Sequence, residues 1–153
     1  MKLFGIPLSN YYNIVKLALL EKQIDFDEVH APPSQEKEFI IHSPMGKIPY
    51  LQHGDLFICE SQAILFYLEL FKPSPRLYPL DPERGAKAQQ VHQFIDLYID
   101  AEARTLLPAA FFGAQASDEQ IEQVSNRLKQ RVQALSQITE FAPFIAGKQL
   151  SHA

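Results

Sequence analysis

The chain has 153 residues, enough for one ordinary domain or two small ones. An apolar content of 46%, with 11% aromatic residues, predicts a folded core rather than a disordered chain. The formal net charge is −4 and no basic block is present, which disfavours nucleic acid as a partner. A single cysteine, Cys59, excludes an internal disulfide framework and fits a reducing compartment. No apolar run approaches the roughly 20 residues of a membrane helix, so we predict a cytoplasmic protein.

The first residues predict a strand, a helix and a second strand. Lys2 to Ile6 is strand-like, and Ser9 or Asn10 can cap the helix that follows. Apolar residues recur at helical spacing as far as Lys22. Ile24 to His30 then predicts a second strand, and the favoured right-handed connection makes the two strands parallel.

A hairpin and a helix follow a short helix over 36–41. The segments Tyr50–His53 and Leu56–Cys59 flank Gly54-Asp55, which predicts two antiparallel strands joined by a tight turn. Residues Ser61 to Phe71 predict a helix that is apolar over much of its surface, so we expect it to be buried. Helices on both faces of a four-stranded sheet are therefore expected.

The second half begins with a proline-rich linker and continues as helix. Residues 73–82 contain four prolines, and strand signals fade from Glu83 onward. Pro108 is expected to kink or end the first long helix, and Gly113 to close it. One face of this helix is apolar, and together with the helix after Ser61 it predicts self-association, with a homodimer as the commonest outcome. This face comprises Val91, Phe94, Ile95 and Tyr98.

A second long helix is predicted from a capping box. Ser117 and Gln120 have the capping-box spacing, and the helix should run to about Thr139. Two helices cannot bury their apolar surface alone, so we expect them to contact the first domain or another subunit. The chain stops after Ala153, which suggests a truncated product, a fragment or a chain that partners complete. The stripe expected to be buried comprises Ile121, Val124, Leu128, Val132 and Leu135.

Two short segments carry the pattern of a ligand site. Pro49 lies where a loop becomes a strand and removes one N–H from the ladder, which leaves Ile48 to pair with a ligand. We expect the Ile48–Pro49 bond to be cis. Glu60 and Ser61 lie at a helix start, where free N–H groups and a partial positive charge suit a carboxylate.

Together these segments resemble the glutathione S-transferase family. The resemblance rests on Lys47-Ile48-Pro49 followed by Glu60-Ser61, on Pro7-Leu8-Ser9-Asn10, and on the helical run Lys16 to Lys22. It implies an α/β fold, with a thioredoxin-like βαβ-ββα domain over 1–72, a linker over 73–82 and an incomplete all-α domain over 83–153. It also implies glutathione as co-substrate and a small hydrophobic electrophile.

Ser9 is the first candidate for thiol activation. The thiolate is the nucleophile, and a free thiol has a pKa of about 8.5, so a hydroxyl donor at a helix start would raise the ionised fraction. By resemblance Ser9 matches the serine of the serine-type classes, although it can equally be a plain helix cap. Asn10, Tyr11 and Tyr12 are the fallback donors.

The peptide part of glutathione has its own candidate contacts. Ser61 would hold the γ-glutamyl carboxylate and Glu60 the ammonium, unless they form only a helix cap. Lys47 would neutralise the glycyl carboxylate, and its alternative is a solvated loop lysine. Plant-like family members use a His-Lys pair where this chain has Ser34-Gln35, so contact at the glycine end is expected to differ.

A redox cysteine, a metal site and a non-catalytic role are the alternatives to glutathione transfer. Cys59 precedes Glu60 at a strand end and is interpreted as a buried structural residue rather than a redox centre. The five histidines show no ligand spacing, so we interpret them as surface or turn residues and infer no metal site. The predicted function is a glutathione transferase. The alternative is a non-catalytic protein of this fold that acts as a binding or regulatory partner.

Overall fold

The protein is described by a computed structural model that covers residues 1–139, 141 and 143–153. It divides into two compact units, Met1–Leu77 and Tyr78–Ala153. The division lies inside the proline-rich segment 73–82.

The first unit is a mixed four-stranded sheet with three helices. The sheet order is β2-β1-β3-β4, with β2 parallel to β1 and the other neighbours antiparallel. The parallel strand–helix–strand unit and the hairpin are therefore confirmed. In chain order the elements are β1 (Lys2–Gly5), α1 (Asn10–Glu21), β2 (Asp27–His30), α2 (Lys37–Ile40), β3 (Tyr50–His53), β4 (Leu56–Cys59) and α3 (Ser61–Phe71).

Both faces of the sheet are covered by helices, as the sequence predicts. On one face Phe4 stacks on Tyr50, with ring centroids 4.3 Å apart, and Phe39 of α2 meets the same ring edge-on. The opposite face carries Leu3 and Leu51, which are fully buried, and α1 and α3 pack there against each other and against the strands. This alternation follows from the two-residue period of a strand.

Strand β2 is shorter than the predicted segment 24–30. Residues between Lys22 and Asp27 close α1 instead, because Gln23 adopts a left-handed φ of 50°. The Ile24 N–H then donates to the carbonyl of Leu19. A left-handed residue after a helix satisfies the last free carbonyl groups, and this turn uses the residues that would otherwise extend the strand.

Helix α3 is buried on one face only, so the prediction of a wholly buried helix is wrong. Its inner face includes Ile64 and Leu68, which are fully buried. Phe66 and Leu70, by contrast, are 57% and 65% exposed. Together with exposed Ala63 they occupy positions i, i+3 and i+7, which form one outer face of the helix.

The second unit contains helices and, among its described residues, one isolated bridge between Phe144 and Gly147 but no strand. The first helical run changes its hydrogen-bonding pattern several times before and around Pro108. The long second helix follows. The elements are α4 (Pro82–Phe94), a π-helical turn (Ile95–Asp100), α5 (Ala101–Ala103), a 3₁₀ turn (Arg104–Leu106), α6 (Leu107–Phe111) and α7 (Asp118–Ser136).

The π-helical turn alters the predicted apolar face of the first run. Val91 is buried, but Tyr98 is 49% exposed. A π turn takes more residues per turn than an α-helix, so residues beyond Phe94 rotate away from the face that helical spacing assigns them. Phe94 still contacts Tyr98, with ring centroids 5.0 Å apart.

Helix α7 starts as predicted but buries less than predicted. The Ser117 side chain accepts a hydrogen bond from the Gln120 N–H at 3.1 Å, which confirms the cap. Val124 and Leu135 are buried, whereas Ile121 and Val132 are exposed. The prediction of burial is therefore wrong at those two positions, because the predicted stripe extends around more of the helix than its buried face.

Candidate functional site

The strand register brings the predicted site segments to one edge of the sheet. Phe4 near the end of β1 pairs with Tyr50 at the start of β3, and Tyr50 pairs with Cys59 at the end of β4. The segment that follows β1, the loop that precedes β3 and the start of α3 therefore leave the sheet at the same edge. They carry Ser9, residues 47–49 and residues 60–61, respectively.

Ser9 caps helix α1. Its backbone is extended, with φ −85° and ψ 121°, and its Oγ accepts a hydrogen bond from the Tyr12 N–H at 3.3 Å. The Ser9 N–H donates in turn to the Ile6 carbonyl at 3.1 Å. The hydroxyl oxygen is thus used as an acceptor, and a hydroxyl also carries one proton that it can donate.

The loop before β3 is held by its own backbone. The buried Ser43 hydroxyl donates to the carbonyl of Lys47 at 2.7 Å, and the Gly46 N–H donates to the carbonyl of Ser43. Gly46 has a φ of 65°, which glycine adopts without strain. The Ile48–Pro49 bond is cis, as predicted. The Lys47 side chain is exposed.

Ser34 and Gln35 stand where plant-like family members use a His-Lys pair, and in this chain both contact the loop before β3. The Ser34 N–H donates to the carbonyl of Gly46 at 3.1 Å, and the Gln35 amide donates to the carbonyl of Met45 at 3.4 Å. Any side chain at Gly46 would overlap Gln35. These two residues therefore support the loop backbone.

The start of α3 contains the strained residue of the site. Glu60 is the N-cap with φ 67° and ψ 117°, a conformation that is unfavourable for any residue with a Cβ. Its side chain makes no capping hydrogen bond and is exposed. Ser61 is the first residue of the helix and its side chain is buried. Strain of this kind concentrates at functional sites.

Tyr12 differs from the other fallback donors. It is buried, and its hydroxyl donates to Glu28 Oε2 at 2.5 Å. Burial, followed by this hydrogen bond, raises the pKa of Tyr12 well above its ordinary value. Asn10 is exposed and Tyr11 is half-buried. The Tyr12 hydroxyl is therefore already used as a donor to Glu28, and the sequence did not predict this contact.

The signal for that contact was present in the helix spacing. Lys16 lies one turn after Tyr12 and forms an ion pair with Glu28 at 2.8 Å. Hydrogen bonds from Lys16 and then from Tyr12 lower the pKa of the Glu28 carboxyl. A tyrosine and a lysine at i and i+4, followed by an acid on the next strand, predict such a cluster only once the parallel pairing is known.

The other titratable candidates lie in ordinary structural surroundings. Cys59 lies opposite Tyr50 and is half-buried, so the expectation that it is buried is wrong. His92 and His152 are buried rather than on the surface, which corrects their interpretation, and His92 Nδ1 lies 2.9 Å from the His152 carbonyl oxygen. Across the described residues, no group of three or more His, Cys, Asp or Glu side chains is placed to hold a metal ion.

Membrane-spanning potential and surface grooves are the remaining features of the described residues. Within 1–139, 141 and 143–153, no helix has the length and apolar character needed to cross a membrane. An open groove of about 710 Å³ in the second unit is lined by Glu83, Arg84, Ala86, Lys87, Gln90 and Ala146. None of these is a predicted site residue.

Comparisons with known proteins identify the family. The family model of the glutathione S-transferase N-terminal domain matches residues 3–76. A glutathione S-transferase of Pseudomonas putida is 39% identical over 153 residues, which is all of this chain and 70% of that protein. The chain belongs to the glutathione S-transferase family. The predicted resemblance, and with it a glutathione transferase enzyme, is confirmed.

Solved structures of glutathione transferases share the fold. Human glutathione transferase theta-2, in complex with glutathione and an unknown ligand, superposes with a TM-score of 0.85 at 24% identity, over 99% of this chain and 66% of that chain. Glutathione transferase F2 from Populus trichocarpa gives 0.82 at 21% identity, over 99% and 75%. The predicted α/β class, with a thioredoxin-like domain and a helical second part, is confirmed.

Proposed function

We propose that this chain binds glutathione at the sheet edge formed by Ser9, residues 47–49 and residues 60–61, and transfers the thiolate to a small hydrophobic electrophile. The observation that carries the proposal is the register Phe4–Tyr50–Cys59, which puts the three segments at one edge. The glutathione-binding domain would comprise 1–72, with a linker over 73–82 and a partial helical domain over 83–153.

The peptide part of glutathione is held by charge and by helix geometry. Ser61 and the first N–H groups of α3 receive the γ-glutamyl carboxylate, because a helix N-terminus favours an anion. The exposed Glu60 carboxylate pairs with the ammonium. The Ile48 backbone pairs with the cysteinyl part, and the exposed Lys47 ammonium attracts the glycyl carboxylate.

The thiol is activated by the Ser9 hydroxyl. Since Oγ already accepts from the Tyr12 N–H, its proton is directed to another acceptor, and a thiolate at this edge takes that role. The thiol proton leaves to solvent, and the thiolate sulfur forms a bond to the electrophilic carbon. With an aryl halide, the carbon–halogen bond then breaks and the halide leaves as an anion. Because the Tyr12 hydroxyl already donates to Glu28, Ser9 is favoured over Tyr12 as the donor to the thiolate.

Relatives and features of the chain itself support the remaining parts of the proposal. The human theta-2 structure contains glutathione, and the related proteins bear the name glutathione S-transferase. Conjugation of such electrophiles would serve the detoxification of reactive small molecules. A cytoplasmic location follows from the single cysteine, and a homodimer from the outer face of α3.

The test is the thiol pKa of bound glutathione in wild type and in Ser9→Ala. Loss of one charge-assisted hydrogen bond, worth about 1.5–3 kcal/mol, raises that pKa by roughly one to two units. Conjugation of a small aryl halide at neutral pH then falls about 10- to 100-fold. Thiolate absorbance against pH and initial rates measure the two effects, while the Kd for glutathione stays nearly constant.

A matched control separates thiol activation from helix capping. Ser117 caps α7 with the same bond, from the Gln120 N–H at 3.1 Å, but lies in the second unit. Ser117→Ala should therefore lose about 1 kcal/mol of stability with no change in thiol titration. An unchanged titration in Ser9→Ala would contradict the role of Ser9. Wild-type protein that binds glutathione without conjugation would favour the non-catalytic alternative.

A further inference from the structure

We propose that Tyr12 is a positioning residue for the proposed reaction, because it fixes Ser9 against the sheet in the geometry that activates the thiol. This inference rests on the proposed function. Tyr12 does not donate to the thiol; it acts through Ser9. Three separate contacts of the one residue, by its backbone, its ring and its hydroxyl, carry the inference.

The backbone contact reaches Ser9 directly. The Tyr12 N–H donates to Ser9 Oγ at 3.3 Å, so the position of Tyr12 sets where the hydroxyl oxygen lies. One lone pair of the Ser9 oxygen thereby faces the Tyr12 N–H. The hydroxyl proton remains available to donate to another acceptor.

The ring contact ties the first turn of α1 to the end of β1. Gly5 is the last residue of β1, and a methyl group built there would overlap the Tyr12 ring. The ring therefore lies directly on the Gly5 backbone. Any shift of α1 along the sheet would lose this contact, since protein interiors are close-packed.

The hydroxyl contact ties the same turn to β2. Tyr12 Oη donates to Glu28 Oε2 at 2.5 Å, and Lys16 Nζ holds the same carboxylate at 2.8 Å. These are the charged groups that face the hydroxyl, one from the sheet and one from the next turn of α1. Hydrogen bonds to an ionised acceptor are the stronger ones. Glu28 thus restrains both the rotation of α1 about its axis and the distance of its first turn from β2.

The consequence for catalysis is positional. A catalytic group displaced by about 1 Å can lose as much as 100-fold in rate, and Ser9 precedes the helix whose first turn Tyr12 anchors. Removal of the hydroxyl should loosen that turn without removing the Ser9 donor. The thiolate would then be less well stabilised, while the peptide contacts at residues 47–49 and 60–61 persist.

The experiment compares Tyr12→Phe with Ser9→Ala and with the double variant in the full chain. Tyr12→Phe keeps the ring on Gly5 and the backbone bond to Ser9. We expect the pKa of the bound thiol to rise part of the way toward the Ser9→Ala value. We also expect kcat to fall about tenfold, with the Kd for glutathione changed by less than about twofold. The double variant should titrate like Ser9→Ala alone, because Tyr12 acts through Ser9.

Two further variants keep the inference open to contradiction. Tyr98→Phe alters a half-exposed tyrosine of the second unit and should leave the thiol titration unchanged. Glu28→Ala leaves the Tyr12 side chain intact and removes its acceptor, so it should raise the pKa of the bound thiol as much as Tyr12→Phe does. This variant also provides the test if Tyr12→Phe does not fold. A lower melting temperature with a wild-type thiol pKa in both Tyr12→Phe and Glu28→Ala would overturn the inference alone. A wild-type titration in Ser9→Ala would overturn the proposed function as well.

Discussion

At the scale of single residues, the backbone of Glu60 shows the conflict between stability and ligand binding. Its φ of 67° with ψ of 117° costs about 1–3 kcal/mol in a residue with a Cβ. The surrounding structure holds it there because β4 ends and α3 begins within one residue. The exposed carboxylate is thereby placed beside the helix N-terminus, where an ammonium group of a ligand can pair with it.

Replacing Glu60 by glycine should therefore stabilise the fold and weaken binding. Glycine adopts a positive φ without steric cost, so we expect a gain of about 1 kcal/mol in the free energy of unfolding. Loss of the charged contact, worth about 1.5–3 kcal/mol, should raise the Kd for glutathione roughly 10- to 100-fold. Denaturant unfolding and calorimetric titration measure the two changes in the same preparation.

Gln23 provides the matched control for that prediction. It is the other described non-glycine residue with a positive φ, 50°, and it closes α1 away from the site edge. Gln23→Gly should stabilise the protein by up to about 1 kcal/mol and leave the Kd unchanged. Equal losses of binding in both variants would show that the effect of Glu60→Gly is not local.

At the scale of elements, a buried ion pair joins the ends of α1 and α3. Lys22 is fully buried, and its ammonium donates to Glu69 Oε2 at 2.7 Å. It also donates to the carbonyl groups of Lys72 and Pro75 at 2.9 and 2.8 Å. Glu69 Oε2 accepts the Leu77 N–H as well. One lysine therefore holds two helix ends and the segment that follows them.

Removing Lys22 should cost far more than removing a surface lysine. Lys22→Met leaves the Glu69 carboxylate buried without its main partner, and breaking such a pair costs about 3–5 kcal/mol. The double variant Lys22→Met, Glu69→Leu should recover part of this loss, because no lone charge is then buried. Urea unfolding of both variants measures the difference. Lys37→Met, at an exposed lysine of α2, should change stability by less than about 0.5 kcal/mol. An equal loss in Lys37→Met would contradict the assignment.

The sequence predicted elements better than it predicted contacts between them. The bounds of β3, β4 and α3 agree with the structure, because alternation, a Gly-Asp turn and an apolar helix are local signals. A buried Lys22 could not be predicted, since lysine is almost always exposed unless it is paired. Its partner Glu69 lies 47 residues away, and only the packing of α1 on α3 brings the two together.

At the scale of the whole molecule, the site depends on segments that are far apart in the chain. Resemblance grouped Ser9, Lys47 and Glu60 from motif order, and the strand register explains the grouping because three strand ends share one edge. The positive φ of Glu60 needed coordinates, since it does not follow from residue type. The contact from Tyr12 to Glu28 needed the parallel pairing of β1 and β2 in addition to the helix spacing. We propose that the grouped residues bind glutathione; Glu60→Gly tests the binding, and Ser9→Ala tests the activation of the thiol.

Self-association is the last prediction, and the outer face of α3 is its basis. Val91 is buried and cannot take part, which revises the surface predicted from sequence. Ala63, Phe66 and Leu70 are exposed on one helix face, and contiguous apolar surface on a folded chain marks an interface. A two-fold dimer is the commonest way to cover such a face. We expect sedimentation equilibrium at micromolar concentration to give twice the chain mass, and Phe66→Glu to give a monomer, because an unpaired buried charge is costly. Leu20→Glu, at an equally exposed leucine of α1, should remain dimeric. A wild-type monomer, or a dimer that survives Phe66→Glu, would contradict this interface.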